Sequence, residues 1–365
     1  MARIMKPTRY LHDLGQSLWL DNITRGLLTD GTLRHYIDEF SITGLTSNPS
    51  IFDHAIKGSA FYDGAIHEKL KQGKSGEDLF FDLAIDDLRQ AADLFRPIYD
   101  RTNGMDGWVS LEVSPTLAYD TPGTILEVER LRARAARTNL FVKIPGTPQG
   151  IPAIEESILA GVPVNVTLLF SREQYLAAAE AYLRGIERRI QVGLSPDVCS
   201  LASVFISRWD KATLEKVPAE LRDKLGIAIA KRTYKAYRQL LNSDRWLRLA
   251  NVGARPQRLL WASTGTKDPA ASDILYVKSL AAPFTVNTIP DKTLLAFAEH
   301  GSVGDLMPPD GGDAEEMIAR FARTGIDCDR LAADLQREAA ESFVKDWNEL
   351  LTSIASKSAA FRVAG

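Results

Sequence analysis

The sequence predicts an α/β protein of the (β/α)8 TIM-barrel kind, with additional helices at its C-terminal end. Three observations predict it. Eight short apolar runs alternate with longer amphipathic stretches, as parallel strands alternate with crossover helices. Polar residues gather at or just past the C-terminal ends of those runs. No Gly-x-Gly-x-x-Gly opens the chain, which removes the usual mark of a dinucleotide-binding sheet. Periodicity alone also allows an open doubly wound sheet. The polar run ends favour the barrel, because there they all meet at one mouth.

The apolar runs cover 17–21, 42–46, 108–113, 140–144, 163–168, 201–205, 258–262 and 285–288. Several are apolar at nearly every position, as in strands buried on both faces. Between them lie helical patterns. In 77–102 the apolar residues Leu79, Leu83, Leu88, Ala91, Ala92 and Phe95 form one stripe, with acids near the start. Segment 171–192 opens with Ser171 and carries Gln174 three residues on, a capping box. Segments 218–241 and 314–324 read similarly. After Gly325, 327–357 reads as one or two helices. Segment 301–312, with four Gly and two Pro, reads as a loop that ends the repeating part. The expected organisation is one domain over 1–365, with the barrel at roughly 15–300 and C-terminal helices in 313–357.

Composition narrows the function classes. The 365 residues carry 44 Lys plus Arg against 47 Asp plus Glu, a formal net charge of −3. That balance excludes a strongly basic nucleic-acid binder. No run approaches the roughly 18 apolar residues of a membrane span, and the first ten residues have no apolar core of a signal peptide. Two cysteines, Cys199 and Cys328, cannot build a disulfide framework. A reducing, cytosolic setting is expected. The sequence leaves monomer and homodimer open.

The chemistry-bearing residues sit at the run ends. Lys143 stands in Leu140-Phe141-Val142-Lys143-Ile144-Pro145. Burial disfavours an ammonium in general, and a neutral amine attacks carbonyls to form Schiff bases. A lysine snorkelling to water is the plain alternative. Glu112 and Asp21 each end an apolar run. Each alone suits a cap or an ion pair, but two acids beside a strand lysine are what proton transfer in imine chemistry needs. Asn165 and Thr167 alternate with Val164, Val166 and Leu168, so both face one side. Asn48 is held out of helix by Pro49, and Ser50 reads as the helix cap. Ser203 and Arg208 close the sixth run. Ser263-Thr264-Gly265-Thr266-Lys267 follows the seventh, with small and hydroxyl residues that expose N–H groups to a phosphate.

His12, His35, His54, His67 and His300 have no metal-ligand spacing and read as surface or capping residues; the six Trp read as core. His-Glu-x-x-His, Walker and nucleophile-elbow motifs do not occur. No cofactor and no metal are expected.

Taken together, Gly44-Leu45-Thr46-Ser47-Asn48-Pro49-Ser50-Ile51, Val109-Ser110-Leu111-Glu112-Val113, Val142-Lys143-Ile144-Pro145, Val164-Asn165-Val166-Thr167-Leu168-Leu169-Phe170-Ser171 and Ser203-Val204-Phe205-Ile206-Ser207-Arg208 resemble the transaldolase family, in its order. The resemblance covers roughly 15–300 and is nearest the longer bacterial and plant-type branch. It implies sugar-phosphate substrates and an imine on Lys143. Glu112 with Thr167 would position a relay water, and Asp21 would take the C4 hydroxyl proton. Asn48, Asn165 and Ser203 would hold the dihydroxyacetone part, and Arg208 the phosphate. Shorter members carry a second phosphate-binding arginine after strand seven. Here Ser263 and Lys267 stand in that loop, and a lysine is a point charge rather than a fork. The smaller aldolases that resemble the family, which release free dihydroxyacetone, usually have Gln at the place of Glu112 and Tyr at that of Phe205. Both differences favour transfer. The intact set Asp21, Glu112 and Lys143 speaks against a barrel that binds without catalysis. With the sequence ending at Gly365, no fused isomerase part is expected.

Overall fold

The computed structural model describes residues 5–363. Eight strands pair in parallel and in chain order, and the eighth pairs with the first, so the barrel is closed. They are β1 (Ser17–Leu20), β2 (Ile42–Thr46), β3 (Trp108–Glu112), β4 (Leu140–Pro145), β5 (Val164–Leu169), β6 (Ser200–Phe205), β7 (Gln257–Ala262) and β8 (Thr285–Ile289). All eight predicted runs are strands, within two residues at each end.

Alternation sorts the side chains. Val109, Leu111, Val142, Ile144, Val164, Val166, Ala202 and Val204 pack outward with the surrounding helices. Ser110, Glu112, Phe141, Lys143, Asn165, Thr167, Leu201 and Ser203 therefore face inward. Toward the N-terminal end the interior is filled by Trp19, Trp108, Phe141, Leu201, Leu260 and Val286. Trp108 and Phe141 stack there with centroids 4.1 Å apart. Arg258 closes that end, donating to the Ser17 hydroxyl and the Thr285 carbonyl and pairing with Asp106 at 3.2 Å. With one end plugged by rings, the polar interior lies toward the other.

Gly44 shows how tight the plug is. A Cβ there would stand 2.5 Å from Trp19 Cε2 and 2.7 Å from the Trp108 carbonyl oxygen. Trp19 can lie across β2 because residue 44 has no side chain.

Three expectations change. Segment 218–241 is not one helix. A 3-10 turn, Ala219–Leu221, precedes the helix Leu225–Leu241, with Asp223 at φ 56° between them. The buried Asp210 carboxylate accepts from the Leu225 and Gly226 N–H groups at 2.8 and 3.1 Å, which fixes the new start. Beyond the loop at 301–312 and the helix Ala314–Arg323, the chain forms one helix of 36 residues, Cys328–Val363. It packs on the helix Pro49–Lys57, and its Trp347 meets Phe80 edge-on. Third, Asn48 rather than Ser50 caps Pro49–Lys57, its Oδ1 accepting from Ile51 N–H at 3.0 Å. The capping box at Ser171 and Gln174 is present as read. The six Trp are buried. Four His are exposed and His12 is half-buried.

Candidate active site

The strands bring Lys143 to the centre of the mouth. It is on β4, between Glu112 of β3 and Asn165 of β5 in register. Its Nζ stands 2.9 Å from Glu112 Oε2 and donates to the Ser47 carbonyl at 3.1 Å. Lys143 is 6% exposed and Glu112 5% exposed, so the pair is shielded from water. The Glu112 carboxyl and the Thr167 hydroxyl have no other hydrogen-bond partner among the described residues. Both are free to hold a small polar molecule beside the amine.

Around this pair lies a cavity of about 190 Å³. Asp21, Asn48, Thr167, Ser203, Phe205, Arg208, Ser263 and Lys267 line it with Lys143. The two other expected residues lie against it. Glu112 is paired to Lys143, and Asn165 joins a buried chain in which Ser203 Oγ donates to Asn165 Oδ1 at 2.7 Å and Asn165 Nδ2 donates to Ser110 Oγ at 3.1 Å. Since the cap uses Asn48 Oδ1, its amide nitrogen is the group offered to the mouth.

Electrostatics follow from burial. Desolvation raises Glu112 above the usual carboxylate range, and the Lys143 charge only partly opposes it. Asp21 is raised for the same first reason, with Lys143 and Lys267 pulling it down and Asp291 pushing it up. Two acids that take up protons more readily than usual therefore flank an amine.

The far side of the cavity is cationic. Burial lowers the Arg208 guanidinium from its ordinary value, opposed by Asp346 and Glu338. Arg208 makes no hydrogen bond and no ion pair among the described residues; it is held by stacking over Phe205, 5.4 Å from the ring centroid, and over Phe343 at 5.8 Å. Lys267 is exposed at the rim, lowered by desolvation. Ser263 takes φ 57°, and its hydroxyl meets that of Ser207 at 2.9 Å.

The sequence reading missed Phe343 and Asp346, which line the same cavity from the C-terminal helix. Nothing in that helix's pattern marks them, because its heptad-scale stripes explain Phe343 as core and Asp346 as surface. Thr46 and Thr288 also line the wall unforeseen. Among the described residues no group of three His, Cys, Asp or Glu is arranged to hold a metal, and no helix is long and apolar enough to cross a membrane.

Comparison with known proteins agrees with the geometry. Residues 18–354 match the family described as Transaldolase/Fructose-6-phosphate aldolase. A transaldolase of Saccharopolyspora erythraea is 44% identical, over 94% of this chain and 95% of its own. One from Trichodesmium erythraeum is 41% identical, over 95% and 96%. One from Thiobacillus denitrificans is 42% identical, over 96% and 100%. A closed eight-stranded barrel, an inward lysine on its fourth strand and near-complete alignment with such relatives agree: the chain belongs to the transaldolase/fructose-6-phosphate aldolase family.

Proposed function

We propose that the protein is a transaldolase. It moves a three-carbon dihydroxyacetone unit from sedoheptulose 7-phosphate to D-glyceraldehyde 3-phosphate, giving D-erythrose 4-phosphate and D-fructose 6-phosphate. The observation that carries the reading is the Lys143 amine, buried at the mouth 2.9 Å from Glu112 and in one cavity with Asp21 and Arg208.

The steps follow from that arrangement. The Lys143 amine adds to the C2 carbonyl of the ketose, and the carbinolamine loses water to give an imine. Glu112, with the Thr167 hydroxyl, holds the water that carries protons in and out. A raised carboxyl suits this, because it both takes and gives a proton near neutrality. Asp21 takes the C4 hydroxyl proton as the C3–C4 bond breaks. Its electron pair flows into the iminium and leaves an enamine on Lys143. The four-carbon aldehyde departs. The enamine carbon then attacks the acceptor aldehyde, Asp21 returns the proton, and water frees the six-carbon product.

Asn48, Asn165 and Ser203 hold the hydroxyls of the bound unit. Arg208 takes the phosphate, with Lys267 and the Ser263 loop as lesser contributors. An unpaired guanidinium stacked on two rings is an anion site kept in shape without an anion partner. The test is product analysis with fructose 6-phosphate, with and without an acceptor aldehyde. Transfer predicts turnover only with the acceptor. Steady release of free dihydroxyacetone without it would make the protein an aldolase instead.

A further inference from the structure

Strand β5 is irregular where it carries Thr167. Val166 pairs with Ala202, yet Leu169 pairs with Val204, so β5 holds one residue more than β6 over the same stretch. The extra residue makes a bulge, and Leu168 takes φ 59° within it. A leucine enters the left-handed region at a cost, because its Cβ crowds the backbone. Such a conformation persists where the surroundings hold it.

The C-terminal helix supplies the hold. Gln336 is buried, 8% exposed. Its Nε2 donates to the Leu168 carbonyl at 2.8 Å and to the Gly146 carbonyl at 3.0 Å. Gly146 directly follows β4, and its N–H donates to the Thr167 carbonyl at 2.7 Å. One amide therefore clamps the end of the lysine strand to the bulge of the threonine strand. Both donors of that amide are used, so the clamp has no slack.

The bulge has a consequence for the mouth. Alternation turns Asn165 and Thr167 inward. Without the extra residue, Leu169 would turn inward next; instead it packs in the outer core. Residue 168 absorbs the change of parity immediately after Thr167, so its backbone angles set where the Thr167 side chain ends.

We propose that Gln336 is a positioning residue for the reaction. From the C-terminal helix it holds the strained bulge at Leu168 and so fixes the Thr167 hydroxyl relative to Lys143. It touches neither substrate nor reacting atoms. The inference rests on the proposed role of Thr167 in the proton relay and goes beyond it, since it makes the C-terminal helix part of the catalytic geometry.

The test compares Gln336→Ala, Leu168→Gly and the double variant, each assayed well below its melting midpoint. Displacing a catalytic group by about 1 Å costs on the order of 10²-fold in rate. Gln336→Ala is expected to lower kcat roughly 10- to 100-fold and to slow borohydride-trappable imine formation in step with it, while KM for the phosphorylated substrates stays within about twofold because the Arg208 side is untouched. Gln336→Leu keeps the volume, removes both donors and should behave the same. Glycine adopts φ near 59° without strain. Leu168→Gly alone should therefore keep wild-type kcat, and adding it to Gln336→Ala should restore most of the lost rate. Wild-type trapping rates in folded Gln336→Ala and Gln336→Leu would overturn the inference. So would a kcat loss that Leu168→Gly does not rescue, since the amide would then act through something other than the bulge. No trapping on Lys143 in the unmodified protein would instead overturn the functional reading beneath it.

Discussion

The Arg208 guanidinium lies 5.8 Å from the ring centroid of Phe343, so a side chain just after β6 meets one from the middle of the C-terminal helix. The second ring, Phe205, lies below it at 5.4 Å. Two faces of contact fix the planar group while its N–H donors stay unused. The C-terminal helix is thus a wall of the pocket, and the anion site is assembled from both ends of the fold.

Arg208→Ala is expected to raise KM for both phosphorylated substrates. A charged hydrogen bond to a phosphate contributes about 1.5–3 kcal/mol, or roughly 10- to 150-fold in affinity. Lys267→Ala should cost less, because its ammonium is exposed and offers no fork. Steady-state kinetics with phosphorylated and unphosphorylated acceptors check this. Equal losses with both acceptors would make Arg208 structural; a larger loss from Lys267→Ala would move the phosphate to the β7 loop.

Glu112 and Asp21 are expected to fail at different steps. Losing a positioned proton-transfer group costs about 10²–10⁴-fold in rate. Glu112→Gln should form trappable imine slowly. Asp21→Ala should form it and then stall before the C–C bond breaks, so adduct accumulates. Time courses of borohydride trapping separate the two. A folded Asp21→Ala that forms no adduct would undo this division.

The pH dependence of kcat should report Asp21. It acts as a base, so turnover is lost as pH falls through its pKa. Burial raises that pKa, so the acid limb should lie above the roughly 4 of a free aspartate. Lys267 holds Asp21 down and Asp291 pushes it up. Lys267→Ala should therefore move the limb to higher pH and Asp291→Asn to lower pH, measured at saturating substrate. Shifts in the same direction would assign the limb to another group.

Gly44→Ala tests the plug rather than the chemistry. The added Cβ meets Trp19 and the Trp108 backbone well inside contact distance. Overpacking of this kind costs about 1–3 kcal/mol. Thermal melting should show the loss, with altered Trp fluorescence, while Lys143 still traps substrate. Unchanged stability would mean the barrel floor is looser than the geometry indicates.

Much of this was legible in the sequence because the barrel repeats one rule. A run apolar at every position is a strand covered on both sides, and a lone Asp21, Glu112 or Lys143 in such a run stands out. Inward alternation at Asn165 and Thr167 was legible for the same reason. Three features were not. The left-handed turn at Asp223 depends on Asp210 capping a helix from a distant segment. The cap at Pro49–Lys57 falls to Asn48 because Pro49 already occupies the first helical position, which puts Ser50 inside the helix. Phe343, Asp346 and Gln336 take their places from where the last helix lies on the barrel, and no local period encodes that placement.

The central claim is that Lys143 is the covalent nucleophile. The direct measurement is borohydride reduction in the presence of fructose 6-phosphate, followed by peptide mass mapping, on the unmodified protein and on Lys143→Ala. The account predicts one reduced three-carbon adduct on Lys143 in the first and none in the second, whose fold and melting survive. An adduct on any other lysine, or turnover retained by Lys143→Ala, would contradict it.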